Sequence, residues 1–425
     1  MRQKSDGPAV MLGEPSSIFP AHLAAYWRAK GMDVVLVTHR QDAQSSLPDG
    51  TPIVRSSEHE STWSRRIRRR LMNPVLYRLE RTVPRFKQRF TRITGNPADS
   101  ELRMPYFAEF VASAWPTAQA AQALRPRFVF GHEVTTYGLS TALCRGVPKI
   151  IFPWGGDVLS YAESSPFHFA LTKYALRAVD MIVPSSTIAA QHIRKRFGVP
   201  SEKVHAVSWG VDRQTYKKAD AEQRRLICAK WNINPQATII LNPRRFRPIW
   251  GGFVALDAFI QLALENPLTH FVMFGGLDTE KFTNEARARI QEQGLSSRFT
   301  LLEGFAPSSD CIDLMSISDV FVSLLGSCDM RSVSVLQATA AGAVPVIAEH
   351  SEYREMECSG FAALFVQPDS VEDTVRALRF CVQNPEKMEE MRFSNDRYLV
   401  RFEDHSTQMN NLLNLIEEVC ARYHN

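Results

Sequence analysis

Short apolar runs alternate along this chain with segments whose apolar positions recur every three or four residues. The runs read as buried strands, and the periodic segments as helices that cover them. In the first half, strands are expected at Val10–Leu12, Val34–Thr38, Phe128–Gly131, Ile150–Pro153, Met181–Pro184 and Val204–Val207. Helical patterns lie between them, such as His22–Lys30 and Thr187–Phe197, the latter closed by Gly198. The second half repeats the rhythm. Its strands are expected at Thr238–Asn242, Phe271–Phe274, Phe299–Leu302, Val320–Leu325, Val344–Ile347 and Ala362–Val366. Helices are expected near Phe253–Glu265, Thr283–Gln293 and Val333–Ala341. Alternation of this kind makes parallel sheets covered on both faces.

Two such sets predict an α/β chain of two doubly wound, Rossmann-like domains, which suits a length of 425 residues. The expected division is residues 1–212, residues 213–402, and a C-terminal helix over 403–425 that packs back toward the first domain. The charged stretch Arg213–Gln236 is expected to be the link. Ligands of open parallel sheets bind at the carboxyl ends of strands where strand order reverses, so a central cleft faced by both sheets is the expected site.

Composition narrows the class. Hydrophobic residues make up 44% and charged residues 22%, which excludes a mostly disordered chain. No apolar run approaches the ~18 residues of a membrane-spanning helix, and the first residues lack the long apolar core of a secretory signal. Seven scattered cysteines without a C-x-x-C pair suit a reducing cytoplasm rather than a disulfide framework.

The net charge of +5 is unevenly spread. From Arg65 to Arg92 there are eleven basic residues and one acid, Glu80, interleaved with apolar side chains from Trp63 to Ile93. Pro74 and Pro84 break this segment into short pieces. A basic, apolar-studded segment suits an anionic membrane surface, each cation adding about 1 kcal/mol near the lipid. A solvated basic face is the plainer reading, and no nucleic-acid module accompanies the charge.

The chemistry concentrates in Asp319–Glu349, DVFVSLLGSCDMRSVSVLQATAAGAVPVIAE. A buried strand ends at Leu325, a loop runs through Gly326–Arg331, and Ser332 is placed to cap a helix that Gly342 terminates. The amides of Ser332, Val333 and Ser334 at a helix N-terminus form an anion site suited to a diphosphate. Asp329 precedes them and can accept hydrogen bonds from ligand hydroxyls. Gln337, about 1.4 turns into the helix, can reach a ribose. As one more βαβ unit, the same segment would leave Asp329 a turn residue.

This segment resembles the donor-binding motif of glycosyltransferase family 4, the large retaining family with the GT-B fold. That motif is an acid, seven residues, then Glu, followed by Ala-Met-Ala-x-Gly-x-Pro-Val. Here Asp329 and seven residues precede Gln337, followed by Ala-Thr-Ala-Ala-Gly-Ala-Val-Pro-Val. The second acid is thus Gln. Asn242–Trp250 resembles the family's G-R-x-x-x-x-K-G loop: Arg244 matches the motif arginine, and Arg247 is the nearby cation where lysine is absent. Paired cations at a strand end stabilise charge developing on a leaving diphosphate. Ser208–Asp212, Asp180–Ser186 and Phe271–Gly276 resemble scaffold marks of the family in the same order.

The first half departs more from the family. His132 matches the leading histidine of its H-x-H region. Trp154-Gly155-Gly156-Asp157 stands for its H-G-x-D, so an indole occupies the place of a histidine often assigned a catalytic part. The indole can form a stacking wall for a sugar, and Asp157 can orient an acceptor hydroxyl or cap a helix. Gly13-Glu14-Pro15-Ser16-Ser17 replaces the family's glycine-rich loop, with His22 on the helix that follows, structural or acceptor-facing.

The resemblance implies a metal-independent, retaining hexosyltransferase without a cofactor, its donor a nucleotide-diphosphate sugar. Arg244, Arg247, Asp329, His132 and Asp157 are its expected catalytic residues. Ser332, Val333, Ser334 and Gln337, with Phe305 beside the base, would bind the donor. Trp154, Gly155 and His22 would line the acceptor side. In such enzymes the departing phosphate is thought to take the acceptor's proton. The acceptor is expected to be a saccharide, lipid-linked or of an envelope polysaccharide, and the enzyme cytoplasmic and peripheral on the inner membrane face, with no nucleic acid partner. A catalytically degenerate scaffold or sugar-nucleotide-binding protein is the second reading. An epimerase of the same architecture is the third, and it lacks a clear carboxylate pair.

Overall fold

The computed structural model describes residues 7–40, 45–58, 107–164, 166–244, 246, 250–275, 280–302, 308–325 and 331–424. The basic segment 63–93 lies outside them. Contacts divide the chain into two compact units, Met1–Ser208 with Met409–Asn425, and Trp209–Gln408.

In the first unit, apolar runs such as Ala-Val-Met-Leu leave no face for water, which is the pattern of a strand covered on both sides. Its strands are β1 (Ala9–Leu12), β2 (Val34–Thr38), β3 (Ile53–Arg55), β4 (Phe128–His132), β5 (Lys149–Phe152) and β6 (Met181–Ile182). They form one sheet in the order β3-β2-β1-β4-β5-β6. Its pairs are parallel, β1 setting Ala9 opposite both Val34 and Phe128. Strand order therefore reverses between β1 and β4. Trp27, on the Ile18–Ala29 helix, is fully buried edge-on to Phe128 and Phe130, ring centroids 5.3 and 5.4 Å away. The C-terminal residues join this unit through a Tyr26–Asn410 hydrogen bond and an Arg127–Glu417 ion pair.

The second unit repeats the topology. Strands β7 (Thr238–Asn242), β8 (Thr269–Phe274), β9 (Phe299–Leu302), β10 (Val320–Ser323), β11 (Val344–Ala348) and β12 (Leu364–Val366) stand in the order β12-β11-β10-β7-β8-β9. Order reverses between β7 and β10. Phe259, Phe271 and Phe299 stack through its core at centroid spacings of 4.9 Å.

Three local expectations need correction. Val204–Val207 is not a strand: only Val204 makes a bridge, to Ile182. The His205 and Val207 amides still donate to the Ile182 and Pro184 carbonyls at 3.0 Å, but Pro184 has no N–H to return a bond, so no ladder forms. The stretch expected as a bare link carries a helix, Ala221–Lys230, started by a capping box in which Asp220 accepts from Glu222 and Gln223 amides. Its Arg224 binds the carbonyls of Pro235, Ala237 and Ile317. Strand β3 was not expected at all.

Within the second unit, two distant chain segments meet. The Val211 amide donates to the Glu403 carbonyl at 2.7 Å, and Val211 bridges Asp404. Gly210 makes this approach possible, because at its φ of +66° a Cβ would stand 2.8 Å from the His405 Cα.

Candidate active site

At the reversal point of the second sheet, the chain leaves β7 through Asn242-Pro243-Arg244. The Asn242 side chain accepts from the Arg244 amide at 3.0 Å, which turns the arginine back across the strand ends. Its guanidinium then donates to Ser323 Oγ, closing β10, at 3.2 Å, and to Ser332 Oγ at 2.5 Å. Ser332 Oγ also lies 3.0 Å from Ser334 Oγ. Arg244, Ser332 and Ser334 are thus brought together in front of the Val333–Ala340 helix.

Ser332 sits at the N-cap with extended backbone but makes no side-chain capping bond, contrary to expectation. Its hydroxyl is engaged by Arg244 and Ser334, and its own amide donates to Tyr353 Oη at 3.2 Å. The Val335 amide turns onto the Ser332 carbonyl. The amides of Val333 and Ser334 remain as donors that a helix cannot use internally. Gln337 is buried, with its side chain near Tyr216. Arg247, Asp329 and Phe305 lie outside the described residues.

Sequence reasoning missed the partner that fixes this turn. Arg331 donates to Glu403 at 2.6 Å, and Tyr398 donates to the same carboxylate at 3.0 Å. The side chains of Arg331 and Glu403 are 11% and 0% exposed. Nothing in the sequence pairs residues this far apart.

In the first unit, Asp157 is nearly inaccessible. Its carboxylate accepts from the amides of Val134 at 2.7 Å, Gly155 at 2.8 Å and Trp154 at 3.1 Å. It thereby clamps the turn after β4 to the turn after β5. Burial raises its pKa, against the pull of these amides. Gly155 permits the clamp with a φ of +117°. His132 is fully buried among Phe130, Phe152 and Trp154 at 5.1, 6.2 and 6.4 Å. Neither ring nitrogen has a hydrogen-bond partner among the described residues, and burial lowers the pKa to about 3, so the ring is neutral. Trp154 packs against Phe19 at 5.1 Å. His22 is half-buried on the first helix.

A second polar group at this edge escaped the motif search. Arg40, after β2, pairs with Glu14, after β1, at 3.0 Å. Tyr137 Oη lies 2.9 Å from Thr38 Oγ1 and 3.3 Å from Glu14. Glu133 follows β4 directly, with a φ of +66° that non-glycine residues seldom adopt. It accepts from Thr136 Oγ1 at 2.6 Å. Burial first, then the charge of Asp157, pushes its pKa up to about 8. Its place directly after the strand was the one readable signal.

Two Rossmann-like units of identical strand order, one with an arginine against a helix N-terminus at its reversal point, define a GT-B fold. The comparisons agree. A family model described as a glycosyl transferase 4-like domain matches residues 18–210. Another, glycosyl transferases group 1, matches residues 223–395. The chain belongs to the GT-B glycosyltransferases of this family-4-like type. No curated protein matches the sequence. Among solved structures, sucrose-phosphate synthase from Thermosynechococcus elongatus is similar at TM-score 0.73 and 13% identity, covering 98% of this chain and 100% of its own. HepE from Anabaena, solved with UDP and glucose, gives TM-score 0.70 and 13% identity over 97% and 100% of the two chains. WaaG, a glycosyltransferase involved in lipopolysaccharide biosynthesis, gives 0.67 and 12% over 96% and 99%.

Proposed function

We propose that this transferase is retaining and metal-independent, moving a hexose from a nucleotide-diphosphate donor to a hydroxyl acceptor. The observation that carries the reading is the Arg244 guanidinium lying against Ser332 at the start of the Val333–Ala340 helix. A diphosphate held there would meet a cation, two hydroxyls and the amides of Val333 and Ser334, which have no partner among the described residues, groups that gain strength as the leaving charge grows. Asp329 would take donor-sugar hydroxyls, Arg247 would add charge and Phe305 would meet the base. Gln337 would offer its side-chain amide to the ribose. HepE, bound to UDP and glucose, supports the donor class.

Neither Trp154 nor the neutral, buried His132 suits proton transfer, which favours the departing phosphate as acceptor of the proton. Hydrolysis and transfer with a panel of nucleotide sugars test the reading. Arg244→Ala is expected to lower kcat/KM by about 10²–10³-fold, and full turnover in that variant overturns it.

We place the enzyme in the cytoplasm on the inner membrane face, with a lipid-linked or envelope saccharide as acceptor. The support is the basic segment 63–93 and the role of WaaG in lipopolysaccharide biosynthesis. Among the described residues no helix is long and apolar enough to cross a membrane. Sedimentation with anionic vesicles is expected to carry the protein down in a salt-dependent way; failure at low salt removes this part. A second reading, a nucleotide-sugar-binding protein without turnover, draws on Gln337 in place of an acid. Calorimetry with UDP and GDP separates the two: binding without hydrolysis of any nucleotide sugar favours the second.

A further inference from the structure

We propose that His350 and Tyr353 are positioning residues for Arg244, holding in place the two chain segments whose hydroxyls receive its guanidinium. The proposal deepens the transferase reading above and rests on it. Arg244 donates to Ser323 Oγ, at the end of β10, and to Ser332 Oγ, at the start of the Val333–Ala340 helix. These two acceptors belong to separate segments, and both segments are gripped from one place. His350 Nε2 lies 2.6 Å from the carbonyl oxygen of Leu325, just beyond Ser323. A carbonyl only accepts, so Nε2 carries the proton of this bond. The Ser332 amide donates to Tyr353 Oη at 3.2 Å.

Both grips come from the start of the Ser351–Cys358 helix, where His350 is the N-cap. Tyr353 follows at the spacing that puts two side chains on one helix face. Their rings meet edge to face with centroids 6.2 Å apart. Tyr353 is buried and His350 half-buried, so the contacts are braced by packing rather than made by free side chains. Local stability alone would not choose this arrangement. An N-cap ordinarily turns its side chain onto the amides of its own helix. Neither His350 nor Ser332 makes such a bond. Instead His350 holds the end of the β10 segment, and Ser332 receives Arg244. Departures from local preference of this kind gather at functional sites. A guanidinium donates from a rigid fork, so its aim depends on where its acceptors stand. Moving either segment would shift Arg244 relative to the helix N-terminus that it faces.

The test uses the full chain and whichever nucleotide sugar of a panel it hydrolyses fastest. Tyr353→Phe deletes one oxygen and keeps the ring, and His350→Leu removes the donor at similar bulk. Each is expected to lower kcat/KM by about 10- to 100-fold, the scale of a displaced catalytic group. Most of the loss should fall on kcat, because Arg244 would act on charge that develops in the transition state. His350→Gln, which presents an N–H at similar reach, should recover to within about threefold of the wild type. Made in an Arg244→Ala background, the same substitutions should change kcat/KM by less than about twofold, since residues acting through one group are not additive. Thermal melts confirm that each variant is folded at the assay temperature. Losses of equal size with and without Arg244 mark a merely structural role and overturn the proposal. So do Tyr353→Phe and His350→Leu variants with wild-type kinetics, or a His350→Gln variant no better than His350→Leu. A wild type that hydrolyses none of the panel counts against the transferase reading, whereas turnover that the variants leave unimpaired counts against His350 and Tyr353 alone.

Discussion

The two sheets share one strand order, yet the edges at their reversal points carry opposite chemistry. In the second unit, Arg244, three serine hydroxyls and a helix N-terminus converge, a surface for an anion. In the first, Glu14 pairs with Arg40, Glu133 lies in the field of Glu14 and Asp157, and a histidine beside them is packed among aromatic rings. Fold alone therefore does not choose the ligand; the residues that follow each strand do. The difference also lies in how each edge is held. The second is fixed by a buried ion pair, the first by a carboxylate that collects backbone amides.

The ion pair offers the largest test of this contrast. Glu403→Leu leaves the nearly buried Arg331 with only the longer contact to Glu355 at 4.0 Å, which costs up to about 3–5 kcal/mol. Since Arg331 directly precedes Ser332, nucleotide affinity should fall along with stability. Replacing both, as Arg331→Met with Glu403→Leu, should restore most of the stability but not the affinity. Thermal melts and UDP calorimetry on the three variants check this. Equal affinity in the double variant and wild type would show that the pair does not position the turn.

These two anchoring devices mark the limit of what the sequence discloses. Strands covered on both faces write themselves as apolar runs, so all six strands of the second unit were expected, as were the start of the Val333–Ala340 helix and the Arg244 position. Strand β3 has three half-buried residues behind a proline, too few for any pattern. The Phe107–Ala123 helix carries Pro116 in its interior, a residue that reads as a breaker. Arg331 with Glu403, and Glu14 with Arg40, are joined only by tertiary folding. Asp157 was visible in its W-G-G-D motif, but motif spacing is silent on whether a carboxylate faces a ligand or the backbone. Glu133 directly follows His132 in the chain, but its left-handed φ and raised pKa arise only from packing.

The first edge yields a smaller effect. Asp157→Asn retains one carbonyl oxygen and turns an amide group toward N–H donors, so at least one buried backbone donor loses its acceptor. The expected loss is about 1–3 kcal/mol. Donor affinity should not change, because the clamp joins turns of the first sheet only. Parallel melts and UDP titrations check both statements; an intact melt would mean that the amides find other acceptors.

The smallest effect separates the edges by pH. His132 has its pKa lowered from 6.5 to about 3, so the folded state binds this proton less readily than the unfolded chain does. Its contribution to stability is therefore complete above pH 6.5 and is lost as pH falls toward 3. At pH 5.5 the loss attributable to this one group is about 1 kcal/mol, from 1.36 kcal/mol per unit. His39, lowered to a similar value, acts in the same direction and the same window. His132→Leu, of similar volume and without a titrating group, should flatten the decline of stability between pH 6.5 and 4.5 by the share of one proton. Denaturant unfolding of both proteins across that range gives the slope directly. An unchanged slope would mean that the His132 ring takes up its proton in the folded protein as readily as in water, which a site sealed by Phe130, Phe152 and Trp154 does not allow.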